Sequence, residues 1–366
     1  MNRREFIRGA AACGLFAGCA TTAERFVAKG EIHAVLLHLG HNMWKEWLPE
    51  SVDAALGDAP GYDRPHVELA LNETLWRRAT ARAAEKGLNM VVIDIGEGLA
   101  YPSHPELGIR GSWSADKLRD EVNRLRGMGL EPIPKLNFSA THDGWLKDYH
   151  RMLTLPKWYE VAKDVINDVV DIFGTPRFFH LGWDEEYASY STGCQYFVMR
   201  ADEMWWHDFL YTVRCVEDRG VRPWVWSDKG WKDDSYYTRC PKSVVQSDWY
   251  YDEFLGGFDV DNYKADHQFH RLKQFYRLEE AGFDQIPCGT NWVSGFRRKK
   301  GCAAEDVIGR LVKLGREVIP PARRLGFLMA PWAMCDTEEH TAVAERGIDL
   351  FADALAGRIA PAGKAG

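Results

Sequence analysis

The 366 residues carry a formal net charge of -7, with 46% hydrophobic and 27% charged residues, the balance of an ordinary globular chain. No apolar run reaches the ~18–20 residues of a membrane-spanning helix and no long basic block is present, which argues against a membrane-embedded protein and against nucleic acid as a partner. Aromatic residues stand out, with 15 Trp, 14 Tyr and 17 Phe; rings gathered at strand ends would form a stacking surface in addition to a core.

Residues 1–23 read as a targeting segment. Asn2-Arg3-Arg4-Glu5-Phe6-Ile7-Arg8 resembles the twin-arginine export signal, and an Ala/Gly-rich apolar run follows from Gly9 to Ala20. Phe16-Ala17-Gly18-Cys19 resembles a lipoprotein cleavage box with Cys19 as the lipidated residue, although Phe16 stands where Leu is usual. The implied location is the cell envelope, periplasmic or anchored through Cys19, and no other membrane contact is expected. Export permits disulfides, but the spacing of Cys194, Cys215, Cys240, Cys288, Cys302 and Cys335 does not fix a connectivity. No CxxC or Cys/His cluster of zinc-site spacing occurs, so no metal and no cofactor are expected.

Residues 24–366 read as one domain. Short apolar or β-branched runs fall at 32–39, 89–95, 131–137, 177–182, 222–227, 243–247, 285–290 and 326–330. Amphipathic segments of helical period lie between them at 72–86, 114–128, 157–173, 201–219, 264–281 and 303–324. Gly87, Gly129, Gly174, Gly220 and Gly282 follow the first five, as expected of helix stops. Alternating strands and helices predict a parallel α/β sheet, and eight strands predict closure into a single (β/α)8 TIM barrel. Residues 228–242 are too short and too Tyr/Asp-rich for a full helix, so irregularity is expected between strands five and six. A doubly wound open sheet is the rival, and the absence of GxGxxG after the first strand argues against its dinucleotide-binding form.

Barrel active sites lie at the C-terminal strand ends. In order, those ends offer His38, His41, Asn42 and Trp44; Asp94, Glu97 and Tyr101; Lys135, Asn137, His142 and Trp145. His180, Trp183, Asp184 and Glu185 follow, then Trp226 and Asp228, then Asp248, Trp249 and Tyr250, then Asn291, Trp292 and Trp332. Hydroxyls need polar partners and the C–H face of a sugar stacks on rings, so this mixture suits a carbohydrate. The H-x-H of many metal-dependent barrel hydrolases is missing from the first strand.

Phe179-His180-Leu181-Gly182-Trp183-Asp184-Glu185 resembles the fourth-strand H-x-G-G-D-E signature of glycoside hydrolase family 20, the exo-acting β-N-acetylhexosaminidases. The resemblance implies that Glu185 is general acid and base. Asp184 would orient the substrate's 2-acetamido group, which acts as nucleophile. Ala140-Thr141-His142 with Trp145 resembles the family's third-strand segment, and Trp224-Val225-Trp226-Ser227-Asp228 its fifth-strand segment. Trp249 and Trp332 fall where the family places pocket indoles. His142, His180, Trp183, Trp226, Asp228, Trp249, Tyr250, Asn291, Trp292, Trp332 and Asp94 are the expected sugar contacts. Trp183 replaces the second glycine, the first strand lacks the family's sugar-gripping arginine, and Asn291-Trp292 stands where a tyrosine is usual. The acid after the eighth-strand Trp has only Asp336 near it. Two readings stay open beside a retaining hexosaminidase: a catalytically silent glycan-binding barrel, and a glycosidase pairing Asp184 or Glu185 with Asp94, Glu97, Asp228 or Asp248.

Overall fold

The computed structural model describes residues 28–48, 64–187, 198–251, 270–292 and 303–359. The export motif, Cys19, Cys194, Cys302 and the Arg297–Lys300 basic run lie outside them. Eight parallel strands run β1 (Ile32–His38), β2 (Met90–Asp94), β3 (Glu131–Lys135), β4 (Phe178–His180), β5 (Arg222–Trp226), β6 (Val245–Ser247), β7 (Cys288–Gly289) and β8 (Gly326–Met329). They hydrogen-bond in the order β6-β5-β4-β3-β2-β1-β8-β7. Parallel bridges Gln246–Gln285 and Trp249–Cys288 join the two ends, giving the expected (β/α)8 barrel.

The helices are α1 (Glu73–Glu85), α2 (Ala115–Gly127), α3 (Pro156–Ile172), α4 (Asp202–Glu217), α5 (Tyr236–Arg239), α6 (His270–Glu280), α7 (Ala304–Val318) and α8 (Glu338–Leu355). Local chemistry sets several starts. The Asn72 side chain accepts from Thr74 N and Leu75 N, and Ser114 accepts from Lys117 N, each satisfying amides that a first turn leaves open. α5 is a single turn after a 3-10 turn at Asp228–Trp231, the irregularity expected between β5 and β6. α7 stops at Val318, short of the expected 324, because Pro320-Pro321 cannot continue it. α8 has no counterpart among the six periodic segments, although Thr337 caps it and Glu338-Glu339 favour its first turn.

Side-chain alternation explains the two cores. Val35 and Leu37 face the helical layer with Trp76 and Ala79. Ile32, Ala34 and Leu36 fill the barrel interior with Met90, Val92 and Ile133. Two residues further along these inward rows come His38, Asp94, Lys135 and His180, all buried. The apolar interior therefore ends in a polar layer at the C-terminal mouth.

Candidate active site

That polar layer is a floor. Lys135 Nζ donates to Asp94 Oδ2 at 2.6 Å, and His38 Nδ1 lies 3.3 Å from the same oxygen. Burial opposes the Asp94 charge, but the Lys135 ammonium and His38 outweigh it and hold the carboxyl well below its usual range. Asp94 is spent on Lys135 and does not line the cavity above. His180 is also buried, its ring 4.5 Å from Trp226, and burial lowers its pKa well below the ordinary value. Both were expected at the sugar; strand depth puts them below the cavity.

Above the floor is a cavity of about 420 Å³ whose walls include Trp44, His142, Asp184, Glu185, Trp226 and Trp332. Trp249, Tyr251, Arg271 and Trp292 complete it. After β4 the chain takes left-handed conformations at Gly182 (φ 72°), Trp183 (φ 72°) and Glu185 (φ 58°). For residues with a Cβ this is strained, a feature that concentrates at working sites. The turn separates neighbouring side chains. Asp184 Oδ1 accepts from Asn137 Nδ2 at 2.7 Å, and Glu185 N donates to Asp228 Oδ2 at 2.9 Å. His142 stands between the acids, Nδ1 3.9 Å from Asp184 Oδ1 and Nε2 3.5 Å from Glu185 Oε2. Burial lowers the His142 pKa, so the ring is neutral at neutral pH.

Burial, followed by the charges of Asp184 and Asp228, pushes the Glu185 carboxyl up to about 8. Glu185 therefore holds its proton at neutral pH while facing a cavity. Asp228, pushed up to about 6 mainly by burial, accepts from Tyr187 OH as well as Glu185 N and serves as support. One ligand atom each from His142, Asp184 and Glu185 lies within 4.8 Å of the others, close enough for one cation. A protonated Glu185 is better suited to give up a proton than to ligate a metal.

Three further expected contacts lie off the cavity wall. Trp183 points away from the cavity: its Nε1 donates to Thr212 Oγ1 at 3.1 Å and its ring packs on Trp205 and Phe209 of α4. Tyr250 packs among Leu272, Phe275 and Leu311, while Tyr251 faces the cavity and accepts from Trp332 Nε1 at 3.2 Å. Asn291 Nδ2 donates to Val343 O of α8 at 2.8 Å. Asp248 accepts from Trp231 Nε1 at 2.9 Å. Arg271, on a helix with an ordinary amphipathic pattern, gave no signal of its place in the wall.

Fold and site together define a (β/α)8 barrel with an adjacent carboxylate pair in an aromatic cup at the C-terminal ends of its strands. No family model matches the chain, and no curated protein sequence does. Solved structures do. The chain is similar to a β-N-acetylhexosaminidase from Bacteroides fragilis, with TM-score 0.54 and 14% identity over 87% of this chain and 65% of that one. Dispersin B aligns with TM-score 0.53 and 15% identity over 79% of this chain and 95% of its own. A family 20 exo-β-N-acetylglucosaminidase from Vibrio harveyi aligns with TM-score 0.53 and 14% identity, over 88% of this chain and 54% of the enzyme. The chain thus spans less than two thirds of the first and third of these. At such identities the likeness is one of fold.

Proposed function

We propose that this chain is a retaining glycoside hydrolase that removes a terminal β-linked N-acetylhexosamine with help from the sugar's own acetamido group. The observation that carries the reading is Glu185, a carboxyl raised to about 8 in an aromatic cavity beside Asp184. Glu185 donates its proton to the leaving glycosidic oxygen as that bond breaks, and the acetamido oxygen bonds to the anomeric carbon. Asp184, fixed by Asn137, orients the acetamido N–H and balances the positive charge of the cyclic intermediate. Glu185, now ionised, takes a proton from water as it opens that ring, returning the original anomeric configuration. Trp226, Trp249 and Trp332 offer ring faces for the sugar. Asp94 is tied to Lys135, Glu97 to the His41 and Asn42 amides, Asp228 to the Glu185 amide, and Asp248 to Trp231, so none is a free second carboxylate.

An aryl β-glycoside panel with product stereochemistry tests the reading. Release from N-acetylhexosaminides with retention, lost in Glu185→Gln, is expected. Release confined to sugars without an acetamido group, or inversion, overturns the mechanism; binding without turnover favours a silent barrel. The N-terminal motif extends the proposal to export, to the periplasm or to a lipid anchor at Cys19. Arg3→Lys with Arg4→Lys should leave the protein in the cytoplasm by cell fractionation, and unchanged delivery would overturn the twin-arginine route.

A further inference from the structure

Arg271, the second residue of α6, is a cation in the wall of a cavity otherwise lined by acids, a histidine and rings. Its guanidinium carbon lies 4.4 Å from the Trp249 ring centroid and 4.7 Å from that of Trp231. Stacking engages the faces of a guanidinium and leaves its N–H edges open. Among the described residues Arg271 forms no salt bridge and no hydrogen bond. The Trp249 indole nitrogen beneath it is buried and has no acceptor. The nearby Asp248 supplies no countercharge, because burial holds its carboxyl well above the usual range. This corner of the cavity therefore sets a permanently charged donor beside an unpaired indole N–H. A neutral sugar hydroxyl both donates and accepts, and matches such a corner poorly; an acceptor-only anion matches it on charge and on hydrogen bonding.

We propose that Arg271, with the Trp249 indole N–H, selects a terminal sugar bearing an anionic oxygen substituent: a sulfate, phosphate or carboxylate. The inference rests on the hexosaminidase reading for its sugar, and its test keeps the two apart. Aryl β-N-acetylglucosaminide is compared with its 6-sulfo and 6-phospho derivatives and with the aryl 2-acetamido-2-deoxyglucuronide, for wild type, Arg271→Gln and Arg271→Lys. Wild type should favour at least one anionic substrate by ~10-fold or more in kcat/KM, the scale of one charge-assisted hydrogen bond. The preference should fall with added salt, collapse in Arg271→Gln and return in part in Arg271→Lys. Which derivative leads identifies the anion. Equal or better cleavage of the neutral substrate by wild type, or a preference untouched by Arg271→Gln, overturns the inference and leaves the hydrolase reading standing. If wild type cleaves none of them, the hydrolase reading falls. Calorimetry with N-acetylglucosamine and its 6-sulfate then decides the inference, which requires tighter, Arg271-dependent binding of the sulfate.

Discussion

Glu185 combines a left-handed backbone, with φ of 58°, and a carboxyl held protonated by burial and by two neighbouring aspartates. If it donates the proton in glycoside cleavage, kcat should fall as pH rises through about 8, and Glu185→Gln should abolish this limb with the activity. A stability effect of opposite benefit follows. A carboxyl raised from 4.5 to about 8 binds its proton more tightly in the folded chain. Its contribution is complete below 4.5 and is lost as pH climbs through about 8. Glu185→Gln should therefore unfold about 2 °C higher than wild type at pH 9, and not at pH 4, in calorimetry. A lower Tm at pH 9 would show that the carboxylate is not strained there. Gly182 acts on the other acid. A Cβ there would lie 2.8 Å from Asn137 Cα, against the residue that holds Asp184. Gly182→Ala should cost about 1–3 kcal/mol and reduce turnover more than ~10-fold, because a displaced Asn137 releases Asp184.

Two loops make the site, and a buried ion pair ties them together. Glu186 follows the Asp184-Glu185 pair directly; its carboxylate accepts from Arg200 Nη2 at 2.8 Å and from Ala140 N of the β3 loop at 3.0 Å. Arg200 also donates to Phe138 O at 2.7 Å and stacks 4.3 Å from the Trp183 ring. Removing one partner of a buried pair leaves a bare charge, so Arg200→Met should cost about 3–5 kcal/mol in denaturant unfolding. Arg200→Met with Glu186→Gln should recover part of that loss; no recovery would mean that Arg200 contributes packing and not charge. At this scale the sequence is readable where periodicity governs. Apolar alternation in β1, β2 and β3 and glycine-stopped helices predicted the barrel, and position in the barrel placed Asp184, Glu185, His142, Trp226, Trp249, Trp292 and Trp332 at its mouth, where they line the cavity. What was hidden depends on backbone turns and strand depth. Trp183 leaves the cavity because φ turns positive before it, Tyr250 yields to Tyr251 by one step of alternation, and Asp94 sits one layer too deep. No periodic signal reports any of these.

Across the whole barrel, pairing is uneven. β1 and β2 share five register pairs and β2 and β3 another five, all in buried strands. β6 and β7 meet through isolated bridges, with Ile286 N donating to Gln246 O and Cys288 N to Asp248 O, both at 2.9 Å. This seam carries Trp249, Tyr251 and Trp292, and so part of the aromatic cup. Fewer register pairs than in β1, β2 and β3 set a lower local opening free energy, so the seam should open before those strands. Hydrogen exchange should be ~10-fold or more faster at Ile286 and Cys288 than at Val92 and Ile133, since each 1.4 kcal/mol of opening free energy is tenfold. If the rings hold a sugar, its binding favours the closed seam, so N-acetylglucosamine should slow exchange at 246–251 and 285–292 and leave 90–94 unchanged. Equal exchange across all eight strands would mean that the barrel opens only as a unit. Ligand protection confined to β2 and β3 would put the sugar on the wrong side of the mouth.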